Sequence, residues 1–292
     1  MAAVLTEKAP AKINLTLRVL GRRADGYHRL ESLVAFADLA DTLSLQPGGD
    51  AALDITGPFA SACGPVAGNL VLKAFAALRA RVAGLNAGRF VLEKDIPVAA
   101  GLGGGSADAA AALRLLARAN SLAADDPRLA EAAPTVGADV PVCLESHACI
   151  MRGVGEELSA ALDLPPLAAL LVNPGVPLAT RDVFARFAGN QDGKTSLAGV
   201  PRERGALIEW LGAHGNDLTP NAIACVPVIA DVLSALSALP GARLARMSGS
   251  GPTCFALFAS SGEATAAAQR LKSERKDWWV YPTTLGSVGE RP

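Results

Sequence analysis

Five segments of this chain carry residue types whose spacing could do chemistry. The most informative is Pro97-Val98-Ala99-Ala100-Gly101-Leu102-Gly103-Gly104-Gly105-Ser106-Ala107, followed by an Ala/Leu-rich run to Ala119 that reads as a helix. Each ordered glycine costs roughly 0.5–1 kcal/mol relative to alanine, so such a cluster belongs where backbone turns sharply or comes very close to something. A helix start offers unpaired N–H groups and a partial positive charge. A glycine loop leading into one is therefore a sensible phosphate cradle. It is neither of the two familiar cradles. No Lys follows the glycines as a P-loop requires, and Ser106 and Asp108 stand where the third glycine of G-x-G-x-x-G would fall. Read as a plain loop, the segment needs only Ser106 as the helix N-cap.

Residues 11–20 alternate, with Lys12, Asn14, Thr16 and Arg18 on one side and Ile13, Leu15, Leu17 and Val19 on the other. Period two predicts a half-buried strand. Its polar side is either a solvated sheet face or an ammonium and an amide aimed into a cleft. Asp139, in Val-Gly-Ala-Asp-Val-Pro, has no periodic reason to be there. It is either a turn residue bonding its own backbone or a carboxylate that holds and deprotonates an alcohol. In Asp25-Gly26-Tyr27-His28 the turn needs only the first two residues; Tyr27 adds a flat ring and His28 a donor/acceptor ring. Ser248-Gly249-Ser250-Gly251-Pro252 is a second glycine turn between apolar runs.

The elements that must position these groups interleave. Residues 30–39, 42–45, 51–56 and 89–93 read as strands and 69–82 as a helix. After the loop helix, 126–133 reads as helix and 140–144 and 148–152 as short strands. Gly153, Gly155 and Pro165-Pro166 suggest a boundary, dividing the chain into 1–156 and 157–292. Beyond it come a strand at 167–172, helices at 180–188, 202–213 and 221–239, strands at 244–247 and 253–258, a helix at 262–275 and a strand at 278–281. The βαβ rhythm of a doubly wound sheet is missing, so the expected class is α+β with two layers in each domain.

The 292 residues are 50% hydrophobic and 19% charged, enough apolar material for a core. A net charge of −1 supplies no field to recruit nucleic acid, so an anionic substrate must be held by a few local groups. Cys63, Cys143, Cys149, Cys225 and Cys254 are scattered without C-x-x-C spacing. That argues against a zinc site and a disulfide framework and suits a reducing cytoplasm. Asp163, Pro165, Pro166, Pro227 and Asp231 interrupt the longest apolar runs, and no signal peptide or membrane span is expected.

PAKINLTLRVLGRRADGYH, PVAAGLGGGSADAAAAL, VGADVPVCL and ARMSGSGPTCFALF occur in the order of the motifs of the GHMP kinases (galactokinase, homoserine kinase, mevalonate kinase, phosphomevalonate kinase), which the chain resembles. VNPGVPLATRDVF at 172–184 and NDLTPNA at 216–222 extend the resemblance over nearly the whole length. The AKINL–DGYH pairing is similar to the branch whose acceptor is a methylerythritol carrying a cytidine diphosphate, in the non-mevalonate route to isoprenoid precursors.

The resemblance implies a two-domain fold, each domain a two-layer α/β sandwich with a mixed or antiparallel sheet. It implies ATP-dependent phosphorylation of the acceptor's 2-hydroxyl, with 1–156 binding nucleotide and 157–292 binding substrate. By the same likeness Lys12 and Asp139 are the catalytic pair. Residues 97–107 wrap the triphosphate, and Asn69 and Leu70 touch adenine. Asn14 hydrogen-bonds the acceptor, while His28 reads the cytosine edge between the rings of Tyr27 and Phe184. Arg152 lies against the diphosphate, and Gly249, Ser250 and Gly251 close on phosphates. ATP is the expected cofactor, with Mg2+ whose ligands are unassigned because Ala107 replaces a serine common in the family's loop. The expected partner is a small molecule bearing cytidine diphosphate, not nucleic acid or a membrane, and the protein is expected to be a monomer or homodimer. A homoserine- or mevalonate-type kinase and a non-catalytic nucleotide-binding regulator stay open as alternatives.

Overall fold

The computed structural model describes residues 3–188 and 197–287. In chain order its first half holds β1 (Leu5–Asn14), β2 (Arg18–Arg22), β3 (His28–Pro47), β4 (Ala52–Thr56), α1 (Leu70–Arg79), β5 (Gly88–Glu93), α2 (Gly104–Ala119), α3 (Pro127–Val136), α4 (Val140–Glu145), β6 (Cys149–Gly153) and β7 (Glu157–Leu158). There follow β8 (Leu167–Asn173), α5 (Thr180–Ala185), α6 (Arg204–Gly212), α7 (Thr219–Cys225), α8 (Val228–Ser237), β9 (Leu244–Met247), β10 (Cys254–Phe258), α9 (Ser261–Glu274) and β11 (Trp279–Gly286). They form two compact units of interleaved segments. One takes the chain up to Lys12, Leu39–Val98 and Gly103–Ser146; the other takes Ile13–Asp38, Ala99–Leu102 and the chain from His147 onward. This partition differs from a single cut between 156 and 157, because Ile13–Asp38 and Ala99–Leu102 join the second unit well before that point.

In the first unit β4 runs parallel to β5, and β5 runs antiparallel to the later half of β3, from Thr42↔Glu93 to Pro47↔Gly88. Helix α2 packs on α1, α3 and α4, and α1 packs on β4. Residues 107–117 of α2 are all buried, which explains its alanines: only small side chains allow neighbours on every side. Asn69 caps α1 by accepting the Val71 N–H at 2.9 Å, and Asp126 caps α3 by accepting that of Arg128 at 3.0 Å. In the second unit β9, β10, β8 and β11 form an antiparallel array. β2 and β6 pair antiparallel with the first half of β3. Helix α9 covers β8, β10 and β11, and α8 covers β9 and β10. Leu170, Val172, Ile229, Val232, Phe258 and Leu271 lie in the core between them.

Several expectations change. The run 11–20 is two strands, interrupted between Asn14 and Arg18, and it is buried on both sides rather than half-buried. Residues 30–39 and 42–45 belong to one twenty-residue strand, β3. Asp41, between the two expected strands, is buried and bonded there. Residues 140–144 form helix α4 rather than a strand. Pro141 sits in its first turn, where a missing N–H costs nothing, whereas a central strand would need that donor. The segment 221–239 splits into α7 and α8, with Val226 extended ahead of Pro227. The N-cap of α2 is Gly103, not Ser106.

A buried charge cluster pins the start of α2. Lys94, just past β5, donates to Asp41 on β3 and, at 2.7 Å, to Asp108 on α2. The other oxygen of Asp41 accepts the N–H groups of Asp95 and Ile96 at 2.6 and 2.8 Å. One ammonium thus serves two buried carboxylates, and Oδ1 of Asp108 has no partner. Burial, reinforced by Asp41 and opposed by Lys94, pushes Asp108 up to about 8. Asp108 therefore holds a proton in the folded protein across a range where the unfolded chain has lost it. Its contribution to stability falls as pH rises from about 4 to about 8 and is constant above that. The neutral Asp108→Asn variant should gain stability relative to the parent at pH 8 compared with pH 5, as read from urea unfolding. An equal difference at both pH values would show that Asp108 does not change protonation.

Candidate active site

Lys12 lies in the buried part of β1, with 4% of its surface exposed. Its ammonium donates to Oδ2 of Asp139 at 2.8 Å. Asp139 occupies the N-cap of α4, yet its side chain does not cap the helix. It turns instead to Lys12 and leaves 34% of itself open. A dry ammonium beside a half-open carboxylate can orient a hydroxyl, receive its proton and offset negative charge arriving next to it.

The start of α2 lies against this pair. Gly103 has φ +64°, and a Cβ there would stand 3.2 Å from Lys12 Cβ and 3.3 Å from its Cε. The first helical bond runs from the Ala107 N–H to the Gly103 carbonyl at 2.9 Å. Gly104, Gly105 and Ser106 precede it, and a glycine at the N-cap has no side chain to offer their N–H groups. A Cβ on Gly105 would lie 3.4 Å from Leu70 Cδ1, and one on Gly137 would lie 4.0 Å from Ser106 Oγ. Lys12, Asp139, Leu70 and residues 103–107 thus come together within the first unit, whose segment Leu39–Val98 also contains Asn69, Pro97 and Val98.

Ala99, Ala100, Gly101 and Leu102 belong to the second unit, where they pack on the Ser248–Pro252 turn. Gly101 has φ +73°, and a Cβ there would meet the Ser248 carbonyl oxygen at 2.5 Å. Ser248 Oγ donates to the Gly101 carbonyl at 3.0 Å and accepts the Asn14 N–H at 3.1 Å. The Asn14 amide donates to Ser32 Oγ at 2.7 Å, while its Oδ1 is buried with no partner. A buried acceptor without a donor is uncommon in a folded protein. Ser250 Oγ bonds Thr180 Oγ1 at 2.9 Å. Beneath the turn lies a residue that no motif had assigned. Asn216 Nδ2 donates to the carbonyls of Met247 and Gly249, both at 2.8 Å, and Oδ1 accepts the Leu218 N–H at 2.9 Å. Asn216 was visible in the sequence, but the carbonyls it donates to lie more than thirty residues further on.

His28 stacks on Phe184, ring centroids 5.1 Å apart, and meets the edge of Phe187 at 6.0 Å. Burial and the charge of Arg22 hold His28 below its usual range, so at neutral pH it keeps one donor and one acceptor nitrogen. Tyr27 is 62% exposed. The Arg152 guanidinium is not bare: it pairs with the buried Glu31 at 3.0 Å, whose other oxygen accepts the Leu197 N–H at 3.0 Å. Phe187 and Glu31 join the site only through folding, since neither stands in a recognisable pattern.

Among the described residues no group of three His, Cys, Asp or Glu could hold a metal ion, and no helix is long and apolar enough to cross a membrane. The family described as GHMP kinases N terminal domain matches residues 69–147, and GHMP kinases C terminal matches 196–277. Together with the α+β units they define the class, a GHMP kinase. A relative from Rhodopseudomonas palustris (strain BisB5) named 4-diphosphocytidyl-2-C-methyl-D-erythritol kinase is 56% identical over 292 residues, covering 96% of this chain and 99% of its own. One of the same name from Nitrobacter hamburgensis is 56% identical over 293 residues, covering 96% and 95%. The crystal structure of a 4-(cytidine 5'-diphospho)-2C-methyl-D-erythritol kinase superposes with a TM-score of 0.75 at 34% identity, covering 97% of this chain and all of that one. A homoserine kinase from Cytophaga hutchinsonii, 18% identical with a TM-score of 0.68 over 99% of this chain and 97% of its own, shares the fold. The chain belongs to the GHMP kinase family and, within it, to the 4-diphosphocytidyl-2-C-methyl-D-erythritol kinases.

Gly103→Val tests the cradle. A β-branched residue at φ +64° is strained by roughly 1–2 kcal/mol, and its Cβ would press on the Lys12 side chain at 3.2 Å. ATP affinity measured by calorimetry should fall at least tenfold. Unchanged affinity would reduce the loop to a linker.

Proposed function

We propose that this protein transfers the γ-phosphoryl group of ATP to the 2-hydroxyl of 4-diphosphocytidyl-2-C-methyl-D-erythritol, a step in making isoprenoid precursors by the non-mevalonate route. The observation that carries the chemistry is the 2.8 Å Lys12–Asp139 pair beside the start of α2. Asp139 accepts the acceptor's hydroxyl proton as the phosphoryl group arrives. Lys12 orients the carboxylate and offsets charge on the moving group. An aspartate is a weak base, but in a loose phosphoryl-transfer transition state the proton leaves late and positioning dominates. Residues 97–107 take the triphosphate on backbone N–H groups, and Asn69 and Leu70 take adenine.

Mg2+ would arrive with ATP. It binds through phosphate oxygens, waters and one or two protein oxygens, so it needs no preformed three-carboxylate cluster. Ser106 would offer a hydroxyl oxygen at the start of α2, and when bound the ion would neutralise phosphate charge.

The groups proposed for the acceptor, Asn14, Tyr27, His28, Arg152, Phe184, Gly249, Ser250 and Gly251, all belong to the second unit. Asn14 Oδ1 takes a hydroxyl donor. His28 reads the cytosine edge, and Phe184 and Tyr27 offer flat faces. Arg152, already balanced by Glu31, contributes to the diphosphate as a directed donor rather than as a bare charge. The protein acts in the cytoplasm as a monomer or homodimer.

Asp139→Asn or Lys12→Ala should leave ATP binding intact and lower turnover by roughly two to four orders of magnitude, the scale of losing a positioned acid–base group. Wild-type turnover in Asp139→Asn would end the assignment. Stacking is worth roughly 1–3 kcal/mol per base but cannot choose cytosine, because every base has a π-face. Hydrogen bonds must choose it. The cytidine compound should therefore be phosphorylated far faster than its uridine analogue. His28→Ala should narrow that gap, and Phe184→Ala should weaken both substrates alike. Equal rates for the two compounds with the wild-type protein would remove the base-reading role of His28.

A further inference from the structure

Arg114 is out of place by composition. It stands in the middle of α2, in the run 107–117 that is otherwise built almost entirely from alanine and leucine, and it is only 9% exposed. Its guanidinium gathers partners from two other elements. Nε donates to Glu7 Oε1 at 2.8 Å and Nη2 to the Lys8 carbonyl at 3.0 Å, both on β1. Nη1 donates to the carbonyls of Cys143 and Leu144 at 2.9 and 3.3 Å, both on α4. The second oxygen of Glu7 is held by Arg118 at 3.1 Å.

The two elements it joins are those that carry Lys12 and Asp139. Glu7 and Lys8 precede Lys12 on one strand, and Cys143 and Leu144 follow Asp139 on one short helix. A hydrogen-bonded strand and a helical turn are both stiff over that distance. Holding their far ends on one planar group therefore fixes how their near ends meet. Helix α4 has six residues. So short a helix is marginal alone, and its last carbonyls need outside donors. Ser146 Oγ donates to the carbonyl of Cys143 at 2.7 Å, and Arg114 donates to those of Cys143 and Leu144. Only a guanidinium presents enough donors in a rigid fork to reach a carboxylate and three carbonyls at once.

We propose that Arg114 is a positioning residue for phosphoryl transfer: it sets the separation and angle of the Lys12–Asp139 pair by clamping β1 to α4. The inference rests on the reading of that pair as catalytic. It assigns to Arg114 no contact with ATP or acceptor, so its effect must pass through the pair.

The test is a double-mutant cycle on the intact enzyme with ATP and the cytidine compound, with thermal unfolding confirming that each variant is folded. Misplacing a reacting group by about 1 Å can cost on the order of a hundredfold in rate. Arg114→Met should accordingly lower kcat by about ten- to a hundredfold and leave KM for ATP within about twofold. Arg114→Lys, which reaches fewer acceptors, should fall between. In an Asp139→Asn background Arg114→Met should cost almost nothing further, because the geometry it protects is already without use. Should Arg114→Met not fold, Glu7→Gln is the substitute. It keeps the guanidinium on its three carbonyls and should lower kcat a few-fold in the parent and not at all in Asp139→Asn. Losses that multiply in the double variant, or a KM for ATP that rises in step with the fall in kcat, would overturn the proposal. Full turnover in Asp139→Asn alone would instead overturn the reading of the pair.

Discussion

A lysine ammonium removed from water must find a carboxylate, and much of the first unit follows from satisfying that demand twice. An unpaired buried charge costs several kcal/mol, and breaking a buried pair by deleting one partner is correspondingly expensive. Lys12 meets the requirement with Asp139 at 2.8 Å, and Lys94 meets it with Asp41 and Asp108. The two solutions differ in kind. Lys94 is enclosed between two carboxyl groups, one of which keeps its proton up to about pH 8, and this holds β3, the end of β5 and the start of α2 together. Lys12 shares a carboxylate that still faces outward, so the same physics that stabilises the pair leaves it able to act on something else. Arg114 extends the pattern, joining the remote ends of the elements that carry the pair.

Close backbone approach is the second constraint. Gly103 lies where any side chain would press on Lys12, and Gly101 lies where one would enter the Ser248 carbonyl. Both residues have positive φ. The glycines are therefore required twice over, once by conformation and once by space. They let a helix start sit beside an ammonium in one unit and a loop sit on a tight turn in the other. The second unit repeats the logic with amides: Asn216 ties down the turn that Gly101 touches, and Asn14 keeps one buried oxygen unbonded.

Much of this was legible in the residues themselves. The glycine cluster before an alanine-rich helix, the Lys12–Asn14 spacing, the isolated Asp139 and the Asp-Gly-Tyr-His turn are local signals, and motif order along the chain carried the family. The errors were local too. Val140-Pro141-Val142-Cys143-Leu144 is a short apolar run that suits a buried strand or a buried helix equally. The decision fell to Asp139 and Pro141 at its start and to Arg114 at its end. Residues 30–39 and 42–45 read as two strands with Asp41 between them, because the donors that accommodate Asp41 within one strand, Lys94 and two N–H groups, lie more than fifty residues away.

The sequence by itself determined the chemistry on offer: a glycine loop leading into a helix, an ammonium, a carboxylate and an aromatic turn. It also determined the class of fold, because turn residues, caps and periodicity act over a few positions. Only the tertiary structure decided which of these groups meet. Lys12 and Asp139 are 127 positions apart and the partners of Arg114 lie more than a hundred positions to one side of it and about thirty to the other. The units themselves are assembled from segments that alternate along the chain. Charge pairing in a dry interior is decided by distance in space, and distance in space between remote segments is set by packing rather than by any local pattern.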